Sequence, residues 1–322
     1  MRRLVFLLLL TALVACAQVK LFQSPNTVFV EIDGKPFTAL YYGGDHPKPY
    51  LHPLKSAEGT VVTRGFPMEN IAGETKDHPH HRGVWLGYGF INGFNFWENE
   101  SAYKETNKGT VVPSKPPKLK SDGKVGVITG YYDWLNPEGS AIMNETREMT
   151  FYLHKTLRVI DFDVLFTAQT KVEWGDTKEG FFAIRIATEL QEAKGTGHMV
   201  NAQGQEGEKL IWGKPSEWVD YSGTVGKEKV GIAIFDHPSN LNFPTRWHAR
   251  AYGLFAANPF GKAEFEGAKG GGRGTSAVPA SSYVMQPGQT LRLRYRIVVH
   301  PGDTKSADIA KLYADWTKGK RP

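Results

Sequence analysis

The chain has 322 residues, of which 40% are hydrophobic, and it carries a formal net charge of +6 with a single cysteine. Acidic residues are interspersed with the basic ones and no Lys/Arg-rich run occurs, so the composition argues against a nucleic-acid partner. A lone cysteine excludes an intramolecular disulfide, and a domain of this length can bury a large core without one.

The chain begins with the pattern of a secretory signal. Arg2 and Arg3 precede an apolar run over residues 4–15 and a small-residue cleavage site, so residues 1–17 are predicted to be removed. Cys16 also fits a bacterial lipobox, which leaves lipid attachment as an alternative. Strand-like sequence starts almost directly after Gln18 without a polar tether, which favours ordinary cleavage. We therefore expect an exported protein, periplasmic or secreted.

The rest of the chain is dominated by alternating apolar and polar residues, the pattern of half-buried β-strands. Residues 27–32, the Asp33-Gly34 turn and residues 36–42 predict a β-hairpin, and residues 141–168 predict a long antiparallel pair. The same pattern recurs in four further segments: 181–188, 230–235, 252–257 and 290–300.

Strand length indicates the fold class. In the second half of the 141–168 pair, Phe162 and Val164 lie on an apolar face, while Asp161 and Asp163 point the other way. Strands of about a dozen residues exceed the usual five or six and suit a large sandwich better than a small barrel. The prediction is an all-β fold, a large two-sheet antiparallel β-sandwich, with residues 18–322 forming a single domain.

One helix is predicted near the end of the chain. Ile309, Leu312, Tyr313 and Trp316 recur at helical spacing after Thr304 or Ser306 as a cap, which indicates a short C-terminal helix covering the sandwich. The glycine-rich segment 269–274 lacks a following helix, so a flexible loop is favoured over a phosphate-binding loop.

The densest group of chemically active side chains is the segment from Asp77 to Arg82. His78, His80 and His81 fall within four positions at the entrance of a strand. Imidazole can take or give a proton near neutral pH, so we expect His80, His81 and Arg82 to be catalytic and His78 to bind substrate. The alternative is a structural loop whose histidines bond to neighbouring groups.

A second polar cluster follows the strand at 230–235. His237, Asn240 and Arg250 lie in it, and His237-Pro238 resembles the His-Pro pairs that begin at His46 and His78. We predict that these loops converge on one substrate-binding rim, where the 77–82 and 236–250 segments meet. Separate turns, with proline as a turn-forming residue, are the alternative.

Tryptophans offer surfaces on which a sugar ring can stack. Trp97 and Trp247 are predicted to bind substrate in this way, with packing in the core as the alternative.

Charged residues on apolar strands form the third group. Glu145 and Arg147 share an apolar face of one strand, and Arg185 interrupts another. Such charges must be paired or line a cavity, because burying one alone is costly. If they line a cavity, Arg147 and Arg185 bind substrate, and Glu145 and Glu179 are acid/base carboxylates. Structural ion pairs are the alternative.

Familiar catalytic motifs are absent from the sequence. It contains no G-x-S-x-G, H-E-x-x-H or C-x-x-C motif, and the spacing in His78-Pro-His-His81 is not diagnostic of zinc. We therefore predict neither a cofactor nor a metal ligand.

Several blocks of the chain resemble a bacterial family of unknown function that is labelled methane oxygenase PmoA. The matching blocks are Pro79-His-His-Arg-Gly83 with Trp85, Asn92-Gly93 with Phe96-Trp97, Asp220-Tyr-Ser-Gly223, and segment 236–260 with its Pro244-Thr-Arg-Trp247 and Asn258-Pro-Phe260 motifs. The methane monooxygenase subunit of that name is an integral membrane protein, whereas no segment after the leader is apolar for long enough to span a bilayer. The label is therefore discounted as a guide to function.

The resemblance also implies a galactose-mutarotase-like β-supersandwich, a fold common among sugar epimerases, lyases and hydrolases, although a fold does not establish a reaction. We accordingly expect an exported carbohydrate-active protein that acts on a sugar or oligosaccharide by histidine acid/base chemistry. A lyase-type reaction is favoured, because no carboxylate pair for hydrolysis is evident. The alternatives are a non-catalytic glycan-binding protein and, third, a metal-dependent oxidoreductase.

Overall fold

The computed structural model describes residues 18–267 and 281–322. The predicted leader with Cys16 and the glycine-rich segment 269–274 lie outside the described residues.

Strands account for most of the regular structure. In the first half of the chain they are β1 (Val19–Ser24), β2 (Thr27–Ile32), β3 (Lys35–Tyr41), β4 (Tyr50–Leu51), β5 (Val84–Tyr88), β6 (Thr110–Ser121), β7 (Val125–Leu135), β8 (Ala141–Tyr152) and β9 (Arg158–Ala168). The remainder are β10 (Val172–Gly175), β11 (Gly180–Arg185), β12 (His198–Asn201), β13 (Trp218–Val225), β14 (Glu228–Asp236), β15 (Arg246–Ala249), β16 (Leu254–Asn258), β17 (Ser281–Met285) and β18 (Thr290–Pro301).

These strands form two large antiparallel sheets and one small one. The first sheet has the order β1-β2-β3-β4-β5-β11-β16-β15, and the second has the order β12-β13-β14-β18-β9-β8-β7-β6. Strands β10 and β17 pair separately. The main core lies between the two large sheets. The prediction of an all-β, two-sheet antiparallel sandwich is confirmed.

Two sequence patterns explain how the sheets are specified. Asp33 and Gly34 both adopt positive φ, 54° and 71°, which is the geometry of the tight turn that joins β2 to β3. In β9, Ile160 and Phe162 face the core while Asp161 is half-exposed on the outer side. The hairpin and the long antiparallel pair are therefore confirmed.

Helices are short. They are α1 (Glu208–Ile211), α2 (Lys262–Phe265) and α3 (Ile309–Thr317), with a 3₁₀ turn at Thr188–Leu190. Helix α3 buries Ile309 and Trp316 against the outer face of the second sheet, beside Phe235, so the predicted C-terminal helix is confirmed.

The start of α3 differs from the prediction. Asp308, at φ 50°, is the N-cap residue, and no side chain caps the helix. Thr304 instead donates a hydrogen bond to Asp220, and Ser306 bonds within a turn to Asp303, so neither hydroxyl is available as a cap.

The outer face of the first sheet is also covered. Because side chains alternate along β5, Trp85 points away from the core that Val84 and Leu86 enter. Trp85 packs there with Trp97 and Tyr50 in a separate aromatic cluster. Among the described residues, no helix is both long and apolar enough to cross a membrane.

Candidate functional site

The histidine-rich segment reaches the outer face of the first sheet through a sharp bend before β5. Gly83 has a φ of 52°, and a Cβ atom at this position would lie 2.1 Å from the carbonyl oxygen of Leu51. Glycine is therefore required at this position. His78 also adopts a positive φ, 46°, which is uncommon outside glycine and marks a constrained backbone.

Four rings form a continuous stack above the sheet. Tyr252 stacks on His78 with centroids 5.4 Å apart, His78 on His81 at 4.8 Å, and His81 on Trp85 at 5.1 Å. His81 is therefore covered on both faces and is 1% exposed. The two rings farthest from the sheet, Tyr252 and His78, are half-buried and reach solvent.

The protonation of His81 follows from its partner. Arg185 Nη1 lies 2.8 Å from His81 Nδ1, and a guanidinium can only donate, so Nδ1 accepts and the ring proton is on Nε2. Burial lowers the pKa of His81 well below 6.5, and the nearby charges of His80 and Arg185 lower it further. His81 is accordingly a neutral hydrogen-bond donor.

Two arginines hold Asp77 beside this stack. Arg64 Nη1 donates to Asp77 Oδ1 at 2.5 Å, and Arg185 Nη2 donates to the same oxygen at 3.1 Å. Burial would raise the pKa of Asp77, but contacts with His78, Arg185 and Arg64 hold that pKa well below its usual value. Asp77 is therefore ionised at any physiological pH.

His78 is the histidine of this segment that reaches solvent. Its side chain is 35% exposed, and its Nδ1 lies 3.1 Å from Asp77 Oδ2. His80 and His81 are each 1% exposed. A carboxylate beside an accessible imidazole is the arrangement that supports proton transfer by histidine.

His80 is paired with a tyrosine. Its Nδ1 lies 2.5 Å from the hydroxyl of Tyr103, and its ring meets His81 edge-on with centroids 4.2 Å apart. Trp97 lies against both rings and is 1% exposed. Trp97 therefore supports the histidines from below, and the prediction that it stacks on a sugar is corrected.

Arg82 belongs to a buried charge network at the edge of the site. It binds Glu100 through two hydrogen bonds of 2.8 Å, and Lys48 lies 3.6 Å from the same carboxylate. Burial lowers the pKa of Lys48 to about 8. His46 lies nearby, where burial and then Arg82 lower its pKa. Since Glu100 neutralises Arg82, this guanidinium is less suited to stabilise a developing anion.

Arg250 extends the site along the sheet. Arg250 lies over the ring of Tyr252 at 5.3 Å and contacts Glu208 at 2.7 Å. Burial raises the pKa of Tyr252 to about 12, with smaller contributions from Glu179 and Asp77, whereas Arg185 and Arg250 lower it. The structure therefore places Arg250 on the same face as the histidines, whereas Glu179 contacts Lys178 at 3.3 Å.

Glu145 and Arg147 lie elsewhere. Both are buried in the interior between the sheets, where Arg147 Nε donates to Glu145 Oε1 at 2.6 Å and Trp134 Nε1 donates to Oε2 at 2.8 Å. They form a structural ion pair, which is the alternative interpretation of this sequence pattern. The hypothesis that Glu145 assists catalysis and Arg147 binds substrate is corrected, because β8 turns these side chains inward.

The second polar cluster is divided between faces. Trp247 is fully buried in the core and donates to Ser216 O, so it offers no surface to a sugar. His237 and Asn240 lie at the second sheet, where His237 contacts Trp316 of α3. His46 and His78 flank the 80–82 segment, but His237 does not join them. The predicted convergence of three His-Pro loops is therefore wrong for His237.

The sequence does not mark several residues of the site as functional. Asp77 and Tyr252 lie within segments that have clear sequence patterns, but neither residue stands out within its segment. Arg64 resembles Arg185 in that it is an arginine next to buried residues, here Val62 and Thr63. Tyr103 carries no local signal, since a loop places it. Across residues 18–267 and 281–322, no group of three or more His, Cys, Asp or Glu side chains is arranged to hold a metal ion.

Several solved structures align with most of this chain at low sequence identity. The GH36 α-galactosidase AgaB from Geobacillus stearothermophilus has a TM-score of 0.45 and 8% identity over 89% of this chain and 42% of its own. The α-galactosidase from Lactobacillus brevis has a TM-score of 0.40 and 7% identity over 93% of this chain and 42% of its own. A polysaccharide lyase has a TM-score of 0.36 and 11% identity over 92% of this chain and 34% of its own.

The chain thus spans about two fifths of the length of these galactosidases, and likeness at this level gives no argument about activity. No curated protein matches the chain. A family model matches residues 27–314, and the chain therefore belongs to the family of unknown function DUF6807.

Proposed function

We propose that the protein is a carbohydrate-active enzyme in which His78 transfers a proton to or from a sugar. The observation that supports this most directly is the position of His78. Its ring is open to solvent, lies beside the ionised Asp77 and is held in place between Tyr252 and His81.

The surrounding groups suit His78 to this role. When His78 accepts a proton, the carboxylate of Asp77 stabilises the resulting imidazolium. Arg64 and Arg185 hold Asp77 in one position, so the carboxylate needs no reorganisation during the reaction. His81, the next ring in the stack after His78, is neutral and adds no opposing charge.

A sugar suits the rim of this site. Tyr41 is a half-buried aromatic ring that stacks on Tyr50 with centroids 4.9 Å apart. Rings of this kind pack against the apolar face of a sugar. Arg250 supplies charged donors for hydroxyl groups beside that face.

Proton abstraction, as in a lyase, is the reaction type that we favour. Hydrolysis by two carboxylates needs one protonated acid and one ionised partner. Asp77 is held ionised by two guanidiniums, so it cannot serve as that acid. We further propose that residues 1–17 direct export of the chain.

Turnover of an oligosaccharide panel by the purified protein tests the proposal. The panel contains uronate polymers, whose cleavage by a lyase produces an absorbing unsaturated sugar, and neutral polymers assayed for reducing ends. We expect His78→Ala to lower kcat by roughly 10²- to 10⁴-fold. Asp77→Asn should lower it by a similar factor, because the imidazolium then loses its counter-charge.

His198→Ala is the matched control, because this histidine is 52% exposed and pairs with Glu206 away from the site. Full turnover by His78→Ala would refute the proposed role of His78. Binding of a glycan without turnover by the wild type would instead support the alternative, a non-catalytic glycan-binding protein.

A further inference from the structure

The outer face of the second sheet contains a polar cavity beside helix α3. Its volume is about 530 Å³, and its lining includes Tyr152, Asp161, His237, Arg294 and Trp316. This size falls in the range of sites that hold small molecules. The cavity lies on the opposite side of the sandwich from His78, since the two outer faces belong to different sheets.

Three arginines alternate along β18 on this face, and two of them are neutralised. Arg292 binds Asp163 through two hydrogen bonds of 2.7 and 2.5 Å, and Arg296 binds Asp161 through two of 2.5 and 2.7 Å. Arg294 lies between them. In the described parts of the chain, no carboxylate oxygen comes within 4.0 Å of its guanidinium.

Arg294 is nevertheless held rigidly. Asn240 Oδ1 accepts from the backbone N–H of Arg294, and Asn240 Nδ2 donates to its carbonyl oxygen, both at 2.7 Å. Ser239 Oγ accepts from Nη2 at 2.5 Å, whereas Nε is buried with no hydrogen-bond partner in residues 18–267 and 281–322. The polar loop that follows β14 therefore positions an arginine whose charge the protein leaves unneutralised.

The other charges around the cavity do not cancel that of Arg294. Lys320 is paired with Asp315, which lies outside the cavity lining. Burial, followed by the charge of Arg294, lowers the pKa of His237 to about 4 against the opposing effects of Asp161 and Asp163, so His237 is neutral at neutral pH. Arg321 adds a second positive charge and Glu148 one negative charge.

We propose that this cavity binds an oxyanion, a carboxylate or sulfate group borne by a small acidic sugar, through Arg294. A preformed guanidinium is matched to the geometry of such groups and makes strong, charge-assisted hydrogen bonds to them. Tyr152 and Thr150, which also line the cavity, then contact the rest of the ligand. This site is separate from the one proposed around His78.

Because Trp316 lines the cavity, its indole N–H signal in a ¹H–¹⁵N NMR spectrum reports binding there and not at His78. The signal is assigned by its loss in Trp316→Phe. The protein is titrated with digalacturonate, with galactobiose, which has hydroxymethyl groups in place of the carboxylates, and with sodium sulfate. We expect digalacturonate to shift the signal, and galactobiose to bind at least about tenfold more weakly.

Arg294→Gln should weaken digalacturonate binding by at least about tenfold, whereas Arg294→Lys, which keeps the charge, should retain part of it. Lys20→Gln, an exposed charge on β1, is the control for net charge and should bind like the wild type. A response to sulfate alone would support the oxyanion site and exclude the sugar. No response to either anion, or an unchanged titration in Arg294→Gln, would overturn the proposal.

Discussion

The guanidinium of Arg185 donates a hydrogen bond to Nδ1 of His81 across 2.8 Å. This contact assigns the two histidines of the stack to different tasks. His81 has its acceptor nitrogen occupied and both ring faces covered, so it supports His78 from below. His78 retains an exposed edge and a carboxylate beside it. Histidines that lie close together in a sequence therefore need not share one function, because they can differ in how deeply they are buried.

His81 is predicted to keep one tautomer across the physiological range. Burial lowers its pKa well below 6.5, so the ring nitrogen shifts should show Nε2–H throughout a titration from about pH 8 to about pH 5. Long-range ¹H–¹⁵N NMR spectra of the histidine rings measure this. In Arg185→Gln, Nδ1 loses its fixed donor and a mixture of tautomers should appear. A midpoint near the ordinary histidine value in the wild type would contradict the prediction.

Arg64→Lys should loosen the segment that carries His78. Arg64 is fully buried and donates to Asp77 and to the carbonyl oxygens of Thr75, His78 and Phe66, a fork that an ammonium group cannot reproduce. We expect a loss of about 2–3 kcal/mol in the free energy of unfolding, because buried carbonyl groups lose their donors. Urea denaturation measures this loss.

The matched control for Arg64 is Arg246→Lys, which affects a half-buried arginine bonded to Gly213 O and Glu266. It should cost less stability and leave the histidine NMR signals unchanged. If both variants disturb the histidine signals equally, Arg64 has no special role in positioning His78.

A buried pair in the second sheet should make stability depend on pH. His300 Nε2 lies 2.9 Å from Asp220 Oδ1, and both side chains are fully buried. Burial opposes the charged ring, but Asp220 raises the pKa of His300 above its ordinary value. The folded protein therefore binds this proton more tightly than the unfolded chain does. The stabilisation is complete below about pH 6.5 and is lost as the pH rises through the raised pKa.

Asp220→Asn removes the cause of this shift. We expect it to lower the free energy of unfolding by roughly 3–5 kcal/mol at about pH 6. The loss should be smaller at about pH 9, because the wild type loses this stabilisation as the pH rises. Urea denaturation at both pH values tests this, and an equal loss at both would contradict it.

The fold was predictable because the alternation of side chains is local information. The faces of β8 and β9 and the turn at Asp33-Gly34 are set by residues within a few positions of one another. The composition of the site was only partly predictable, because it depends on which strands become neighbours. Glu145 and Arg185 gave the same signal, a charge on an apolar strand. One faces the interior between the sheets and the other the outer aromatic face.

The loops explain the remaining differences. His237-Pro238 and His78-Pro79 look alike in sequence, but His237 packs against Trp316 at the second sheet and His78 stacks on Tyr252 at the first. Tyr103 reaches His80 from a loop with no periodic pattern. No local rule predicts such a contact, because it depends on the path of the whole 92–108 connection.

The interior pair of Glu145 and Arg147 provides a test of whether it stabilises the fold or takes part in the proposed chemistry. Removing either charge leaves the other buried without a partner, so Glu145→Met and Arg147→Met should each cost about 3–5 kcal/mol in the free energy of unfolding. The double variant Glu145→Met/Arg147→Met should cost less than the two single changes together, since no uncompensated charge remains. Urea denaturation of all four proteins gives the coupling energy.

Turnover per folded molecule should stay at the wild-type level, because both side chains lie in the interior between the sheets. Additive losses of stability would mean that the charges do not compensate each other. A loss of kcat in a variant that remains folded would return Glu145 to the list of catalytic residues.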